Sequence, residues 1–310
     1  MHKIIAFFKL IRWLNLLVAG GSLLLFQYFI IVPVIGIAPT LSHLQVWLLA
    51  LSVMLIMAGG NVINDFLDLS QDEKYKPQNV ILGKAISINF APYLIVFLNV
   101  LGVGIGLWLA YSVGNLKLAN VFLISVLLLW QYSVTLKKYA LVGNAIVAGL
   151  CALVFLLPVL FEVQLVEKHI APEAKYFILT QMKGYALFAF VITLVREIVK
   201  DLEDAEADIA YKYHTLPVWL GTRTSSIIAG VIQLILMIGI GVVMYVYWQT
   251  GLKNNFWYAM LFLQFPLLIN LFPLFVARNK TDYRVQSVML KVIMVFGVAT
   301  IPVFYLFSKL

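Results

Sequence analysis

The chain has 310 residues, of which 63% are hydrophobic and 12% are charged, and its mean hydropathy is +0.98. Soluble domains carry about a quarter charged residues, so a water-soluble globular protein is excluded. The net charge of +8 therefore concerns membrane orientation first, and no nucleic-acid partner is expected. The single cysteine, Cys151, excludes an intrachain disulfide and a cysteine-based metal cluster.

Nine apolar segments are each long enough to cross about 30 Å of hydrocarbon as a helix. They predict an all-α, polytopic membrane protein with one transmembrane domain over residues 1–310. The first segment follows basic residues as a signal peptide would, but its apolar run continues past Pro33 without a clear cleavage site, so we expect a retained helix. The predicted spans are 14–35, 43–63, 90–112, 116–133, 141–161, 176–196, 225–248, 256–276 and 286–307.

The basic residues predict how these spans are oriented. Sixteen of the 22 lysines and arginines fall on the side of the membrane that holds the N-terminus. The positive-inside rule places that side in the cytoplasm, and nine spans then leave the C-terminus outside. We therefore expect an integral protein of the cell (inner) membrane, with cytoplasmic Asp-rich loops over about 64–89 and 196–223.

The acidic residues are concentrated in two short segments. Ten of the 14 lie in 65–73 and 197–208, and six of the seven aspartates repeat one spacing, D-x-x-D-x-x-x-D. Positions i, i+3 and i+7 share one helix face, where three carboxylates repel one another unless a cation lies among them. Solvated helix ends that merely carry acids are the alternative, but they explain neither the repeat nor the scarcity of aspartate elsewhere.

An all-oxygen ligand set suits Mg²⁺, which keeps several waters and shares its shell with substrate phosphates. The two clusters therefore predict a Mg²⁺-dependent diphosphate site. The candidate metal ligands are Asn64, Asp65, Asp68 and Asp72 in the first cluster and Asp201, Asp204 and Asp208 in the second.

Basic, amide and aromatic side chains on the same side are candidate substrate-binding residues. Arginine can hold phosphate in a bidentate fork, lysine acts as a point charge, and an aromatic ring attracts a carbocation. These candidates are Arg12, Asn15, Tyr132, Lys137, Lys138, Arg196 and Lys200. Asn144 is consistent with span packing alone, since polar side chains join membrane helices.

The two clusters resemble the motifs of a known family, the UbiA superfamily of intramembrane prenyltransferases. Its N-D-x-x-D-x-x-x-D signature is similar to residues 64–72, and its D-x-x-D-x-x-x-D motif is similar to residues 201–208. An R-x-x-N near the start of its first helix matches residues 12–15. Its tyrosine, lysine and Gly-Asn stretch between helices four and five matches residues 132–138 and 143–144. The resemblance covers nearly the whole chain.

This resemblance implies a UbiA-type bundle of nine transmembrane helices and a transfer reaction. An isoprenoid diphosphate binds through Mg²⁺ to both clusters, its allylic C–O bond ionises, and a lipophilic acceptor attacks the carbocation. The implied catalytic residues are Asp65, Asp68, Asp201 and Asp204. The family also has asparagine and arginine near Lys76, where this chain has Tyr75 and Asn79, which leaves a diphosphate contact from this loop without support.

The acceptor is less sharply indicated than the donor. Residues 196–221 most resemble the geranylgeranylglycerol-phosphate geranylgeranyltransferase branch, which implies geranylgeranylglyceryl phosphate as acceptor in ether lipid synthesis. The alternative is an aromatic acceptor of quinone biosynthesis, such as 4-hydroxybenzoate or dihydroxynaphthoate, and chlorophyll-type and haem-type branches also remain open.

Two other classes of protein fit part of the pattern. An ion transporter would place acids within its spans, but no acid is predicted at mid-membrane and no inverted repeat is clear. A non-catalytic lipid-binding relative with an intact metal site is the second alternative. The residues do not determine prenyl chain length or oligomeric state.

Overall fold

The structure is a computed structural model that describes residues 2–163, 170–276 and 279–308. In this part of the chain nine helices are long and apolar enough to cross a membrane, which confirms the predicted all-α, nine-span architecture. The predicted location of the C-terminus concerns residues 309–310, which lie outside the described residues. We number the helices as spans 1 to 9: Trp13–Ile35, His43–Leu67, Ile88–Ser112, Leu116–Val134, Val142–Phe161, Pro172–Ala210, Thr222–Gln249, Lys253–Val276 and Lys280–Ser308.

Local sequence explains where several spans begin and end. Span 2 starts with a capping box, in which the Ser42 hydroxyl accepts from the Gln45 amide and the Gln45 side chain accepts from the Ser42 amide. Pro172 stands in the first turn of span 6, where its missing N–H is harmless. Gly36 follows span 1 with a φ of 72°, a conformation that glycine adopts without strain.

The nine spans follow one another around a helix bundle. Each span packs against the next in the chain, spans 1 and 5 also pack against each other, and span 6 contacts spans 5, 7 and 9. Span 9 returns to contact span 1. This order places spans 2, 4, 5 and 6, which carry or border the predicted motifs, around one interior.

Small residues let the spans approach closely, as is common in membranes. A Cβ added at Gly102 of span 3 would stand 2.8 Å from a side-chain carbon of Ile56 in span 2. The same contact brings the Ser52 hydroxyl within 2.7 Å of the Gly102 carbonyl oxygen, which it donates to. A larger residue at 102 would therefore separate these two spans.

Two helices extend further than the sequence predicts, and this changes the description of the Asp-rich segments. Span 2 continues to Leu67, and the short helix Leu69–Tyr75 follows it. Span 6 continues to Ala210, so the first part of the predicted loop 196–223 is helix. The apolar pattern ends where charged residues begin, but the backbone hydrogen bonds of a helix continue past that point. The length of each apolar segment therefore underestimates the length of its helix.

Candidate active site

A cavity of about 1190 Å³ opens at the motif-bearing end of the bundle and extends into its apolar interior. Its walls come from spans 1, 2, 4, 5, 6 and 9. All seven candidate metal ligands line it, as do six of the seven candidate substrate-binding residues. Those six are Arg12, Asn15, Tyr132, Lys137, Arg196 and Lys200.

The first motif is presented by the end of span 2 and the short helix after it. Asn64 and Asp65 lie on the last helical turn, and Asp68 ends the helix with a φ of −89° and a ψ of 1°. Asp72 lies on the helix Leu69–Tyr75, and its amide still donates to the Asp68 carbonyl oxygen at 2.8 Å. The helical spacing therefore survives the break closely enough for all four side chains to face the cavity.

Arg12 connects span 1 to this motif. Its Nη2 lies 2.7 Å from Asp65 Oδ1. Arg12 has a φ of 56° and separates the helix His2–Leu10 from span 1. This conformation is disfavoured for a residue with a Cβ by roughly 1–2 kcal/mol, so the surrounding fold must hold it.

Lys137 connects the turn after span 4 to the same motif. Its Nζ donates to Asp68 and lies 3.5 Å from the Asn64 side-chain oxygen. The turn 136–138 rests directly on Gly143, where an added Cβ would stand 2.8 Å from the Lys137 Cα. The glycine therefore permits the approach that delivers the lysine.

The second motif lies on one continuous helix, span 6, and each aspartate has a different partner. Asn144 Nδ2 of span 5 donates to Asp201 Oδ2 at 2.8 Å. The Thr215 hydroxyl donates to Asp208 Oδ2 at 2.9 Å. Lys76 Nζ lies 2.6 Å from Asp204 Oδ1. The second motif is thus positioned by span 5, by the segment after span 6, and by the loop after the first motif.

Arg196 and Lys200 precede the second motif and share one carboxylate. Arg196 Nη1 and Lys200 Nζ each lie 2.8 Å from a different oxygen of Glu197. Glu197 is buried and also lines the cavity, although the sequence pattern did not single it out. Arg196 and Glu197 lie about one helical turn deeper than Asp201, and the Lys200 ammonium reaches back to Glu197.

One predicted substrate-binding residue is not brought to the cavity. Lys138 does not line the cavity, and its Nζ lies over the Tyr213 ring, 5.6 Å from the centroid. Its carbonyl oxygen accepts from the His214 amide at 2.7 Å. Adjacent residues of a tight turn point in different directions, so only Lys137 of the pair can face Asp68. The prediction that Lys138 binds substrate is therefore not supported by its position.

The structure also adds residues that the sequence reasoning did not assign to the site. Lys76 lies in the loop that departs from the family pattern, and it pairs with Asp204. Asn144, whose sequence context is consistent with span packing alone, donates a hydrogen bond to Asp201. The Gly-Asn pair at 143–144 was the sequence feature that marked Asn144. Gly143 contacts the turn that carries Lys137, and Asn144 binds Asp201 on the other side of the site.

The electrostatics of the cavity mouth favour a bound cation. Burial and the neighbouring Asp68 carboxylate raise the pKa of Asp72 to about 6. Burial lowers the pKa of Lys76, but the Asp204, Glu203 and Asp72 carboxylates together outweigh this effect and raise that pKa overall. Carboxylates from two motifs therefore repel one another across the opening, and added positive charge would stabilise them.

The arrangement of oxygen ligands fits Mg²⁺, which keeps several waters, better than a metal ion that is coordinated by protein side chains alone. Within residues 2–163, 170–276 and 279–308, no three His, Cys, Asp or Glu side chains form a closed cage. The six motif aspartates and the Asn64 amide instead line two sides of one opening. Hard oxygen ligands spread over two walls suit an ion that retains waters and shares phosphate oxygens with a ligand.

The cavity has a lateral opening and an aromatic inner end. Trp13, Leu14 and Val295 line it and are themselves exposed, so it opens towards the bilayer between spans 1 and 9. At the inner end, Phe155 and Tyr185 line the cavity and stack with ring centroids 5.6 Å apart. Tyr185 lies 16 residues before Asp201 on span 6, about 24 Å at 1.5 Å per residue.

These features have counterparts in known proteins. Residues 11–297 match the UbiA prenyltransferase family. The chain therefore belongs to this family and is an integral membrane prenyltransferase. It is 33% identical, over 75% of each chain, to digeranylgeranylglyceryl phosphate synthase of Sulfolobus acidocaldarius.

Solved structures share the fold. A structure described as concerning digeranylgeranylglyceryl phosphate synthase in membranes covers 100% of both chains, with a TM-score of 0.65 and 25% identity. A UbiA homologue from Archaeoglobus fulgidus, bound to DMAPP and Mg²⁺, covers 96% of this chain and 99% of its own, with a TM-score of 0.56 and 17% identity. The resemblance of the two Asp motifs to the UbiA family is thus confirmed.

Proposed function

We propose that this protein transfers a prenyl group from an isoprenoid diphosphate to geranylgeranylglyceryl phosphate in a Mg²⁺-dependent reaction. The main observation in support of this proposal is that two Asp motifs, on spans 2 and 6, line the mouth of one cavity whose interior is apolar. Such a cavity suits a molecule with a diphosphate head and a hydrocarbon tail. The whole chain acts as one transmembrane domain in this proposal.

The two motifs divide the binding of the diphosphate head. Asn64, Asp65, Asp68 and Asp72 would hold one Mg²⁺, and Asp201, Asp204 and Asp208 would hold the other. Bound Mg²⁺ neutralises the charge that develops on the leaving group. The structure described for the Archaeoglobus fulgidus homologue, which contains DMAPP and Mg²⁺, supports this assignment at the level of the shared fold.

The protein's own cations complete the head-group site. Arg12, Lys137 and Lys76 form ion pairs with aspartates of the two motifs. Their side chains are placed to turn towards the phosphate oxygens of a donor that enters between the motifs. Arginine and lysine form charge-assisted hydrogen bonds with phosphate. Asn15 and Tyr132 line the adjoining wall, where the Tyr132 ring can face positive charge on the allylic carbon.

The reaction exchanges one C–O bond for another. The allylic C–O bond of the donor breaks, and both electrons leave with the diphosphate. The acceptor hydroxyl oxygen attacks the allylic carbon and forms an ether, and the hydroxyl proton passes to an oxygen of the released diphosphate. Asp65, Asp68, Asp201 and Asp204 would hold metal ions that stabilise the departing diphosphate, while the apolar interior of the cavity keeps water from the carbocation.

Two observations support a glycerophosphate acceptor. Curated relatives from several archaea, 29–34% identical to this chain, are named digeranylgeranylglyceryl phosphate synthase. The lateral opening between spans 1 and 9 suits an acceptor that itself resides in the bilayer. A prenyltransferase with a small aromatic acceptor remains the second candidate, since its donor site would use the same two motifs.

The cavity mouth faces the cytoplasm in this proposal. The basic residues around the motifs support this orientation through the positive-inside rule. The protein then lies in the cell (inner) membrane with its N-terminus inside and its C-terminus outside.

An acceptor competition tests the proposal. Detergent-purified protein receives geranylgeranyl diphosphate and Mg²⁺ with equal amounts of geranylgeranylglyceryl phosphate, 4-hydroxybenzoate and dihydroxynaphthoate, and products are identified by mass spectrometry. A digeranylgeranyl ether is expected. A prenylated aromatic product would show that the acceptor is aromatic and would leave the proposed metal site unaffected. The absence of any diphosphate release would reject prenyl transfer as a whole.

A further inference from the structure

Span 9 turns one stripe of residues towards the cavity, and this stripe contains a lysine. Residues 291, 294, 295, 297 and 298 line the cavity at helical spacing. Lys291 is the charged member, and the others are Met294, Val295, Gly297 and Val298. It lies 11 residues into the span, about 16 Å along the helix. An ionisable residue at such a depth is unfavourable unless it has a partner or a function.

The charged neighbours of Lys291 are other cations. Arg196 and Arg12 are the groups whose charges act on it. Among the described residues, Lys291 forms no ion pair, whereas Arg12, Lys76 and Lys137 each lie on an aspartate. Arg196 Nε is buried and has no acceptor within the described ranges, although its Nη1 binds Glu197. Repulsion among these cations would be relieved by an anion.

The position of Lys291 matches the route of a lipid rather than of a soluble diphosphate. Val295, one turn along the same helix, is exposed and borders the lateral opening between spans 1 and 9. Arg196 lies five residues before Asp201, about 7.5 Å along span 6. Lys291 is therefore one helical turn from the opening, and its own helix carries none of the motif aspartates that serve the donor.

We propose that Lys291, together with Arg196, binds the phosphate group of a phosphorylated glycerolipid acceptor. This inference rests on the proposed function and assigns Arg196 to the acceptor instead of the donor. Both substrates are anionic, but only the donor phosphates have Mg²⁺ ligands beside them. The acceptor phosphate needs protein cations of its own, and the hydroxyl next to it is then held near the allylic carbon.

Steady-state kinetics with a matched pair of acceptors test this assignment. The acceptors are geranylgeranylglyceryl phosphate and its dephosphorylated alcohol, with geranylgeranyl diphosphate and Mg²⁺ held in common. Lys291→Gln is expected to raise KM for the phosphorylated acceptor about tenfold or more, since a charge-assisted hydrogen bond is lost. KM for the donor and for the alcohol should stay within about twofold. Lys291→Arg should restore most of the acceptor affinity.

The control is Lys280→Gln, which removes the same charge from an exposed position at the start of the same helix. It should leave all three KM values unchanged. A rise in donor KM that equals or exceeds the rise in acceptor KM in Lys291→Gln would overturn the assignment, as would unchanged KM values. Failure of the unmutated protein to prenylate the phosphorylated lipid would instead reject the proposed function, and with it this inference.

A second measurement avoids reliance on a variant. The unmutated protein is treated with an amine-reactive reagent, and modification of Lys291 is read by peptide mass spectrometry. The phosphorylated acceptor is expected to protect Lys291 at concentrations at which the alcohol does not. Equal protection by both, or protection by neither, would contradict the phosphate contact.

Discussion

Asn144 in span 5 donates a 2.8 Å hydrogen bond from Nδ2 to Asp201 Oδ2 in span 6. The residue before it, Gly143, contacts the turn that carries Lys137 to Asp68. One dipeptide at the start of span 5 therefore positions groups on both sides of the cavity. Spans 5 and 6 pack extensively, which keeps this connection rigid.

The orientation of Asp201 should depend on Asn144. We expect Asn144→Ala to raise the Mg²⁺ concentration needed for half-maximal activity about 10- to 100-fold, because groups that orient metal ligands have effects of that size. The measurement is a Mg²⁺ titration of initial rates at saturating donor. Asn120→Ala, at an exposed position of span 4, serves as the control. An unchanged titration midpoint would show that the hydrogen bond does not support metal binding.

The motif aspartates should be essential for turnover. Asp65→Asn and Asp201→Asn are each expected to lower kcat on the order of 100-fold or more, because stabilisation of the leaving diphosphate is lost. Expression and thermal stability should remain near those of the unmutated protein. Glu73→Gln and Glu206→Gln remove exposed acids beside each motif and should leave kcat unaffected. Near-normal turnover in either Asp variant would rule out the two-metal proposal.

Removal of divalent cations tests the same proposal without mutation. Prenyl transfer should fall to background after exhaustive EDTA treatment and recover when Mg²⁺ is added back, since carboxylates on both walls otherwise repel the diphosphate. Product formation is followed by mass spectrometry. Full activity in EDTA would contradict a metal-dependent reaction.

Gly143 offers a prediction about packing. In Gly143→Ala the new Cβ would meet backbone atoms of Lys137 and Leu136 at 2.8–3.2 Å. The turn must then shift, which we expect to destabilise the fold by about 1–3 kcal/mol and to raise KM for the prenyl diphosphate. Gly149→Ala lies on the same helix with open space around its Cβ and should be neutral. Thermal unfolding in detergent and donor kinetics measure both effects. Equal behaviour of the two variants would contradict the close contact.

The inner end of the cavity should limit the length of the prenyl tail. Tyr185 stacks on Phe155, and its hydroxyl accepts a 3.0 Å hydrogen bond from Thr300. Tyr185→Ala removes this wall and is expected to shift the preference of the enzyme towards donors with longer tails. Competition between geranylgeranyl diphosphate and longer prenyl diphosphates measures the shift. Tyr245→Ala, at an exposed position of span 7, should preserve the original preference. A preference unchanged by Tyr185→Ala would place the limit elsewhere.

The sequence determined the number of spans and the two Asp motifs, because these depend on composition and on local spacing, and the motifs carried the resemblance to the family. Apolar length reports a membrane span directly, and i, i+3, i+7 spacing reports a shared helix face. Only the tertiary structure decided which side chains meet. Lys76 and Asp204 are 128 positions apart, and their contact depends on how the loop after span 2 crosses to span 6. Lys137 and Lys138 are equivalent in sequence, but the turn directs one to Asp68 and the other to Tyr213. Lys291 lines the cavity because of how span 9 packs, since the face that a helix buries is set by its neighbours.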